Sequence, residues 1–189
     1  LKELNKENKI PLFIAIDQEG GRVNRMPKEI KNLPSANKIA SCGGKELVTK
    51  SAEIIGEVLH ESGYNLNFAP VLDIDRTENQ GAAIGDRSFS NDKEIVAECG
   101  VAMMKALQKN NILSVVKHFP GHGATKKDSH YFLPVINVPM KKIENEDMYP
   151  FEQAIRNGAD AVLVGHLLIM GVTGIYPASL SRRFITKYL

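Results

Sequence analysis

What this sequence has little of narrows its function before any motif does. Charge of one sign is the first scarcity: 24 lysines and arginines stand against 22 aspartates and glutamates, a formal charge of +2, with both signs interspersed along the chain. Binding a nucleic acid or an anionic membrane surface needs a basic stripe or cluster, so neither partner is expected, and a small molecule is. Cysteine occurs only as Cys42 and Cys99. They have no metal-ligand or redox spacing, fall in helix-like stretches, and are expected to be reduced packing residues. No apolar run approaches the ~20 residues that a bilayer-spanning helix requires, and Leu1 to Ile10 is too charged for the apolar region of a signal peptide. No glycine-rich dinucleotide fingerprint follows a strand-like run, and no repeat of fixed period is evident. The chain begins at Leu1 without a methionine and stops at Leu189 inside an amphipathic stretch. Both ends are therefore expected to be cuts in a longer protein, and no compartment is assigned. What remains is 189 residues, 43% hydrophobic and 24% charged, the composition of one ordinary globular unit with one core.

Within that unit, short apolar runs alternate with amphipathic ones. Pro11 to Ile16 ends at Asp17 and fits a strand buried on both faces, as in a parallel sheet. Leu47, Ile54, Ile55, Val58 and Leu59 recur at helical spacing until Gly63, placed to end the helix as a left-handed cap. Leu66 to Leu72 reads as a second strand. Asn91, with Glu94 three residues later, predicts a capping box for a helix whose apolar face is Ile95, Cys99, Ala102, Met103, Ala106 and Leu107. Met103 and Met104 read as core packing. Ile112 to Val116 is a third strand ending at Lys117-His118, a helix spans about Lys141 to Asn157 before Gly158, and Ala161 to Gly165 is a fourth strand ending at His166. Strands alternating with helices give an α/β fold with parallel pairing. Because four strands in a row end in polar residues (Asp17, Asp73 with Asp75, Lys117-His118, His166), a (β/α) barrel is expected. Such a barrel gathers strand-end groups at one mouth, whereas an open doubly wound sheet concentrates its site in one crevice.

Three polar stretches offer chemistry. In Lys117-His118-Phe119-Pro120-Gly121-His122-Gly123, followed by Asp128-Ser129-His130, three of the chain's five histidines fall close together. An incidental surface loop is one reading, and a metal site is another, although the His-x-His pair typical of zinc hydrolases on barrels is missing. Acid/base catalysis is the third: the Asp128 carboxylate can accept the His130 N–H, fixing its tautomer and stabilising the imidazolium. Asp17-Gln18-Glu19-Gly20-Gly21-Arg22 and Arg25 form either a solvated turn or a set of carboxylate acceptors and guanidinium donors for sugar hydroxyls. Arg87, in Gly85-Asp86-Arg87-Ser88-Phe89-Ser90, either pairs with Asp86 or joins that set.

Taken together, Ile16 to Val23, Asn67-Phe68-Ala69-Pro70-Val71-Leu72-Asp73, Gly85 to Phe89, Lys117 to Gly123, Asp128-Ser129-His130 and Pro177-Ala178-Ser179-Leu180-Ser181 resemble, in order and spacing, the N-terminal barrel of family 3 glycoside hydrolases. The histidine-rich run with Asp-Ser-His resembles its β-N-acetylhexosaminidase branch. The resemblance implies a partial (β/α)8 barrel of the TIM type, lacking its first and last strand-helix units, as one domain over residues 1–189. It implies retaining hydrolysis of terminal β-linked N-acetylglucosamine from peptidoglycan or chitin fragments, without metal or cofactor, by a monomer. His130 would be the general acid/base oriented by Asp128, on a loop hinged at Gly121 and Gly123 and continuing through Lys126-Lys127. Asp17, Arg25, Arg87, Lys117 and His118 would line the sugar subsite. The nucleophilic aspartate is expected from a later strand, so the chain alone would be inactive. A β-glucosidase or a phosphorylase of the same fold, and a noncatalytic sugar-binding module, stay open. Asp128-Ser129-His130 weighs against the glucosidase but not the phosphorylase, since a histidine carries no negative charge to repel phosphate.

Overall fold

The computed structural model describes residues 1–76, 83–123 and 133–189. In chain order it contains α1 (Lys2–Lys6), β1 (Ala15–Ile16), α2 (Ala36–Glu61), β2 (Leu66–Asn67), α3 (Lys93–Lys109), β3 (Leu113–Phe119), β4 (Val135–Ile136) and α4 (Met140–Lys142). A π-helical turn (Ile143–Asp147), α5 (Tyr149–Arg156), β5 (Ala161–Val164), β6 (Leu168–Ile169) and α6 (Arg182–Tyr188) follow. Two 3-10 turns, Gly85–Arg87 and Ala178–Leu180, complete the set.

Strands β1, β2, β3 and β5 pair in that order, all parallel, and β4 pairs with β6 in a second parallel ladder. Parallel neighbours need long crossovers, and α2, α3 and α5 are the crossover helices. Strands that advance in sequence order follow the barrel pattern; a doubly wound sheet would reverse its order. The fold is therefore α/β of the TIM-barrel type, as the sequence predicts. Among the described residues the sheet is an arc and is not closed.

The helices cover the outer face of this arc. In α2 the buried face is Val48, Ala52, Ile55 and Leu59, which repeats at three- and four-residue steps. Leu47 and Ile54, expected on that face, are exposed, and the buried stripe lies one residue round from them, through Val48 and Ile55. In α3, Cys99, Ala102, Met103, Ala106 and Leu107 are buried as the pattern predicts, with Val96 and Met104 besides, whereas Ile95 is exposed. At Gly100 the Leu72 side chain packs so close that an added Cβ would displace its terminal methyl. The end of β3 locks the last helices in place, with Phe119 meeting Phe151 of α5 edge-on at 5.5 Å and Phe184 of α6 at 5.9 Å.

Several expectations about boundaries are corrected. The cap of α3 is Asp92, not Asn91: its carboxylate accepts from the backbone N–H of Glu94 at 2.8 Å and of Ile95 at 3.1 Å, the geometry that satisfies two orphan donors. α2 begins earlier than the apolar pattern, at Ala36, and breaks at Gly43-Gly44, where Gly44 has φ 53. Cys42 lies on that first segment and is exposed, so only Cys99 is a packing residue. The single helix expected near 141–157 is two α-helical pieces, α4 and α5, joined through the π turn. Strand β3 runs on through Phe119, which puts Lys117 and His118 inside the sheet and not beyond it. Gly63, with φ 88, does end α2 in the left-handed region.

Candidate active site

The carboxyl ends of β1, β2, β3 and β5 surround a cavity of about 380 Å³ lined by Asp17, Glu19, Arg25, Phe68, Arg87, Lys117, His118, His122 and His166, among others. All five residues expected at a sugar subsite, Asp17, Arg25, Arg87, Lys117 and His118, are thus brought together from separate loops and a strand. Lys117 points into the barrel from β3 and is 2% exposed. Its Nζ is 2.6 Å from Asp17 Oδ1 and 2.6 Å from Glu19 Oε1. Glu19 also takes a fork from Arg87, whose Nε and Nη2 donate to Oε2 and Oε1, both at 2.9 Å. That planar two-bond geometry is the strong form of an arginine–carboxylate pair. Burial alone would raise the Glu19 carboxyl, but the bonds from Arg87 and the charges of Lys117 and Arg87 outweigh it and hold the group below the ordinary glutamate value.

Glu19 is a member of this cluster that sequence reasoning missed. It reads locally as one charge in a polar turn, and the signal that would have found it lies 68 positions away, in Arg87. The same contact excludes the pairing of Arg87 with Asp86. Arg87 pairs with Glu19, while Asp86 sits 3.5 Å from Arg22 Nε. The loop after β1 is held by Asn67, whose side-chain amide clasps the backbone of Gln18 through both groups, Oδ1 accepting from its N–H at 3.0 Å and Nδ2 donating to its C=O at 2.8 Å. Gln18 Oε1 in turn accepts the Arg25 N–H at 2.9 Å. The apolar spacing of β2 gives no hint of this, because Asn67 stands where a strand would ordinarily place another hydrophobe.

A second carboxylate organises the histidines. Asp73 is 0% exposed. Its Oδ2 lies 2.6 Å from His118 Nδ1, and its Oδ1 accepts the His122 N–H at 2.6 Å. Burial pushes the Asp73 carboxyl up, but His118 and the His122 amide prevail and hold it below the ordinary aspartate value. An ionised carboxylate only accepts, so Nδ1 of His118 carries a proton and the ring orientation is fixed. His166, expected at the end of a strand, lies just past β5 with Nδ1 2.6 Å from Ser179 Oγ. Asp128 and His130, the expected acid/base pair, lie outside the described residues, as do Lys126 and Lys127. No group of three or more His, Cys, Asp or Glu side chains that could hold a metal ion occurs among the described residues, and no helix among them is long and apolar enough to cross a membrane. Chemically, the arrangement is a polar cup: one open carboxylate, Asp17, beside cations that are already compensated and fixed in place.

Comparison with known proteins yields concordant matches. The family model described as the glycosyl hydrolase family 3 N-terminal domain matches residues 2–189. Beta-hexosaminidase A of Pseudoalteromonas piscicida is 35% identical over 97% of this chain, which corresponds to 33% of that protein. Among solved structures, a family 3 beta-N-acetylglucosaminidase from Paenibacillus sp. superposes with a TM-score of 0.87 at 39% identity, over 93% of this chain and 33% of its own. NagZ from Neisseria gonorrhoeae, solved with N-trifluoroacetyl-D-glucosamine, gives 0.83 at 34% identity, over 93% of this chain and 53% of its own. The chain therefore spans between a third and about half of the length of these proteins.

Proposed function

This chain belongs to the glycosyl hydrolase family 3 N-terminal domain family over residues 2–189, and on that premise we propose that the protein containing it releases terminal β-linked N-acetylglucosamine from peptidoglycan or chitin fragments. The observation that carries the reading is the cup at the strand ends, where Asp17 lies open beside Lys117 and Arg87, both held by Glu19. Asp17 keeps Oδ2 for substrate and accepts sugar hydroxyls, while Arg25, Arg87, Lys117 and His118 supply donors from the walls. Arg87, Lys117 and His118 cost little reorganisation when the sugar binds, because Glu19 and Asp73 already fix them.

His130 is assigned as the general acid/base and Asp128 as its orienting carboxylate. A histidine with an unperturbed pKa of about 6.5 suits both proton delivery to the leaving oxygen and proton removal from the incoming water. The reaction proceeds with retention through a covalent glycosyl-enzyme. On the family resemblance, the nucleophile is an aspartate of a later strand and not Asp17, Glu19 or Asp73. No step of this scheme is routed through a metal or cofactor.

The relatives' names point the same way for those proteins: a beta-hexosaminidase, a beta-N-acetylglucosaminidase and a structure holding N-trifluoroacetyl-D-glucosamine. The deciding measurement is kcat/KM of the full-length protein on an aryl β-N-acetylglucosaminide and on the matching aryl β-glucoside, with and without phosphate. A strong N-acetyl preference that ignores phosphate is expected. A large phosphate acceleration would make the protein a phosphorylase, preference for the glucoside would overturn the substrate, and no turnover on either would leave a sugar-binding module.

A further inference from the structure

Asp147 is a buried carboxyl to which the proposed reaction gives no task. It ends the π-helical turn Ile143–Asp147 and is 5% exposed. Its Oδ1 makes no hydrogen bond among the described residues and meets the charge of Arg76 Nη2, at 3.1 Å. Arg76 is itself divided, with Nη1 2.6 Å from Glu146 Oε2 and a buried Nε that has no partner among the described residues. Burial, together with the like charges of Glu146 and Asp73, outweighs Arg76 and pushes the Asp147 carboxyl up to about 6. Single π turns inside helices are frequent at functional sites, and a half-satisfied buried ion pair adds less to a fold than an apolar side chain of the same size. Packing therefore does not explain the residue.

What Asp147 touches does. A Cβ on Gly121 would come within 2.7 Å of Asp147 Cβ, and Gly121 has φ 127, a conformation that L side chains rarely adopt. His122, the next residue, donates its N–H to Asp73 Oδ1 at 2.6 Å. Gly123 is pressed on the strand exit beyond Asp73, where a Cβ would overlap Ile74 O. Residues 121–123 are thus seated, one after another, on Asp147, Asp73 and Ile74, and Arg76 ties the exit carrying Asp73 and Ile74 back to Asp147. The sequence that follows directly is the stretch containing Asp128 and His130.

We infer that Asp147, held by Arg76, is a positioning residue that seats Gly121 and thereby sets the point from which the sequence carrying Asp128 and His130 continues beyond β3. The inference rests on the proposed acid/base role of His130. Misplacing a catalytic group by about 1 Å costs on the order of 100-fold, and the cost falls on substrates that need a proton delivered to the leaving oxygen. In the full-length protein, Asp147→Ala is expected to lower kcat/KM on an alkyl β-N-acetylglucosaminide about 100-fold, with a far smaller loss on an activated aryl glycoside, and Asp147→Asn is expected to lie between Asp147→Ala and the parent. Should Asp147→Ala fail to fold, Asp147→Asn makes the same comparison. His130→Ala is measured in parallel. If His130→Ala discriminates between the two substrates and the Asp147 variants lose activity equally on both, or on neither, the inference is overturned while the acid/base assignment stands. If His130→Ala itself shows no discrimination, the acid/base assignment falls, and this inference falls with it.

Discussion

Glu19 and Asp147 are both buried acids set against an arginine, yet their surroundings push them in opposite directions. Glu19 takes two parallel bonds from Arg87 at 2.9 Å and a further cation, Lys117, at 2.6 Å, and is held below the usual carboxylate range. Asp147 has a contact at 3.1 Å from an arginine whose nearer nitrogen goes to Glu146, and it is pushed up to about 6. Burial raises both. What differs is the number of cations, the alignment of their N–H groups, and the presence of other carboxylates nearby. One environment is built for the charge and the other tolerates it, and the first faces the strand-end cup while the second lies against Gly121.

The largest expected effect comes from removing the better-paired acid. Glu19→Leu leaves Arg87 and Lys117 with only Asp17 between them, and breaking a buried pair from one side costs about 3–5 kcal/mol. Urea unfolding of the full-length protein should show a loss of that size, with kcat/KM collapsing because both cations lose their fixed positions. A cost below about 1 kcal/mol would mean that the cations do not depend on Glu19, and the contrast with Asp147 would dissolve. Asp73→Asn should be next. It replaces a charge that organises His118 and His122 by a neutral amide, with a loss of about 1.5–3 kcal/mol and a fall in kcat/KM that exceeds any rise in KM.

The opposite shifts also predict opposite pH behaviour. A depressed carboxyl stabilises the fold above its unfolded value and loses that contribution as pH falls, so Glu19 and Asp73 favour the native state at neutrality and fail it in acid. A raised carboxyl does the reverse. The cost of ionising Asp147 is absent below its ordinary value of 3.8 and fully present above about 6. Asp147→Asn is therefore expected to stabilise the protein by about 1–3 kcal/mol near neutral pH, at roughly 1.4 kcal/mol per pKa unit, with the gain vanishing in acid. Denaturant melts on both sides of that window test it. A variant less stable than the parent at neutrality would show that the Arg76 contact is a net favourable pair. Stability gained where catalysis is lost is the trade expected of a residue kept for function.

How much of this is legible in the sequence depends on the range of each interaction. Apolar runs that stop at polar residues place Asp17, Lys117 and His118 at one mouth, although the first run is not buried on both faces as expected: Leu12 and Phe13 are 52% and 73% exposed, and β1 buries only Ile16. Helix faces are readable to within one residue, and the reading misses by that residue in α2, where Ala52 packs as a core residue while Leu47 and Ile54 do not. Pairings across the fold leave no local trace. Glu19 depends on Arg87, 68 positions on, and His118 on Asp73, 45 positions back. The π turn is illegible for a related reason. Nothing in Ile143-Glu144-Asn145-Glu146-Asp147 distinguishes a widened turn from an ordinary helical one, while the contact it makes, Asp147 with Gly121, lies 26 positions away.

The smallest expected effect sharpens the comparison from the other side. Sequence proximity alone would pair Arg87 with Asp86, yet Arg87 turns inward to Glu19 while Asp86 meets Arg22 at 3.5 Å, with the two side chains 52% and 46% exposed. Arg22 is already anchored through Nη2 to the carbonyls of Ala83 at 2.7 Å and Ile84 at 2.9 Å. A pair at that distance and exposure is screened by solvent and worth about 0–1 kcal/mol. Asp86→Ala should accordingly shift the urea midpoint barely and leave kcat/KM unchanged, at both low and high salt. A loss in kcat/KM of about ten-fold or more, equivalent to roughly 1.4 kcal/mol, would show that Asp86 helps to hold Arg87 in its fork on Glu19, and the buried cluster would then have to be redrawn with a surface carboxylate as one of its members.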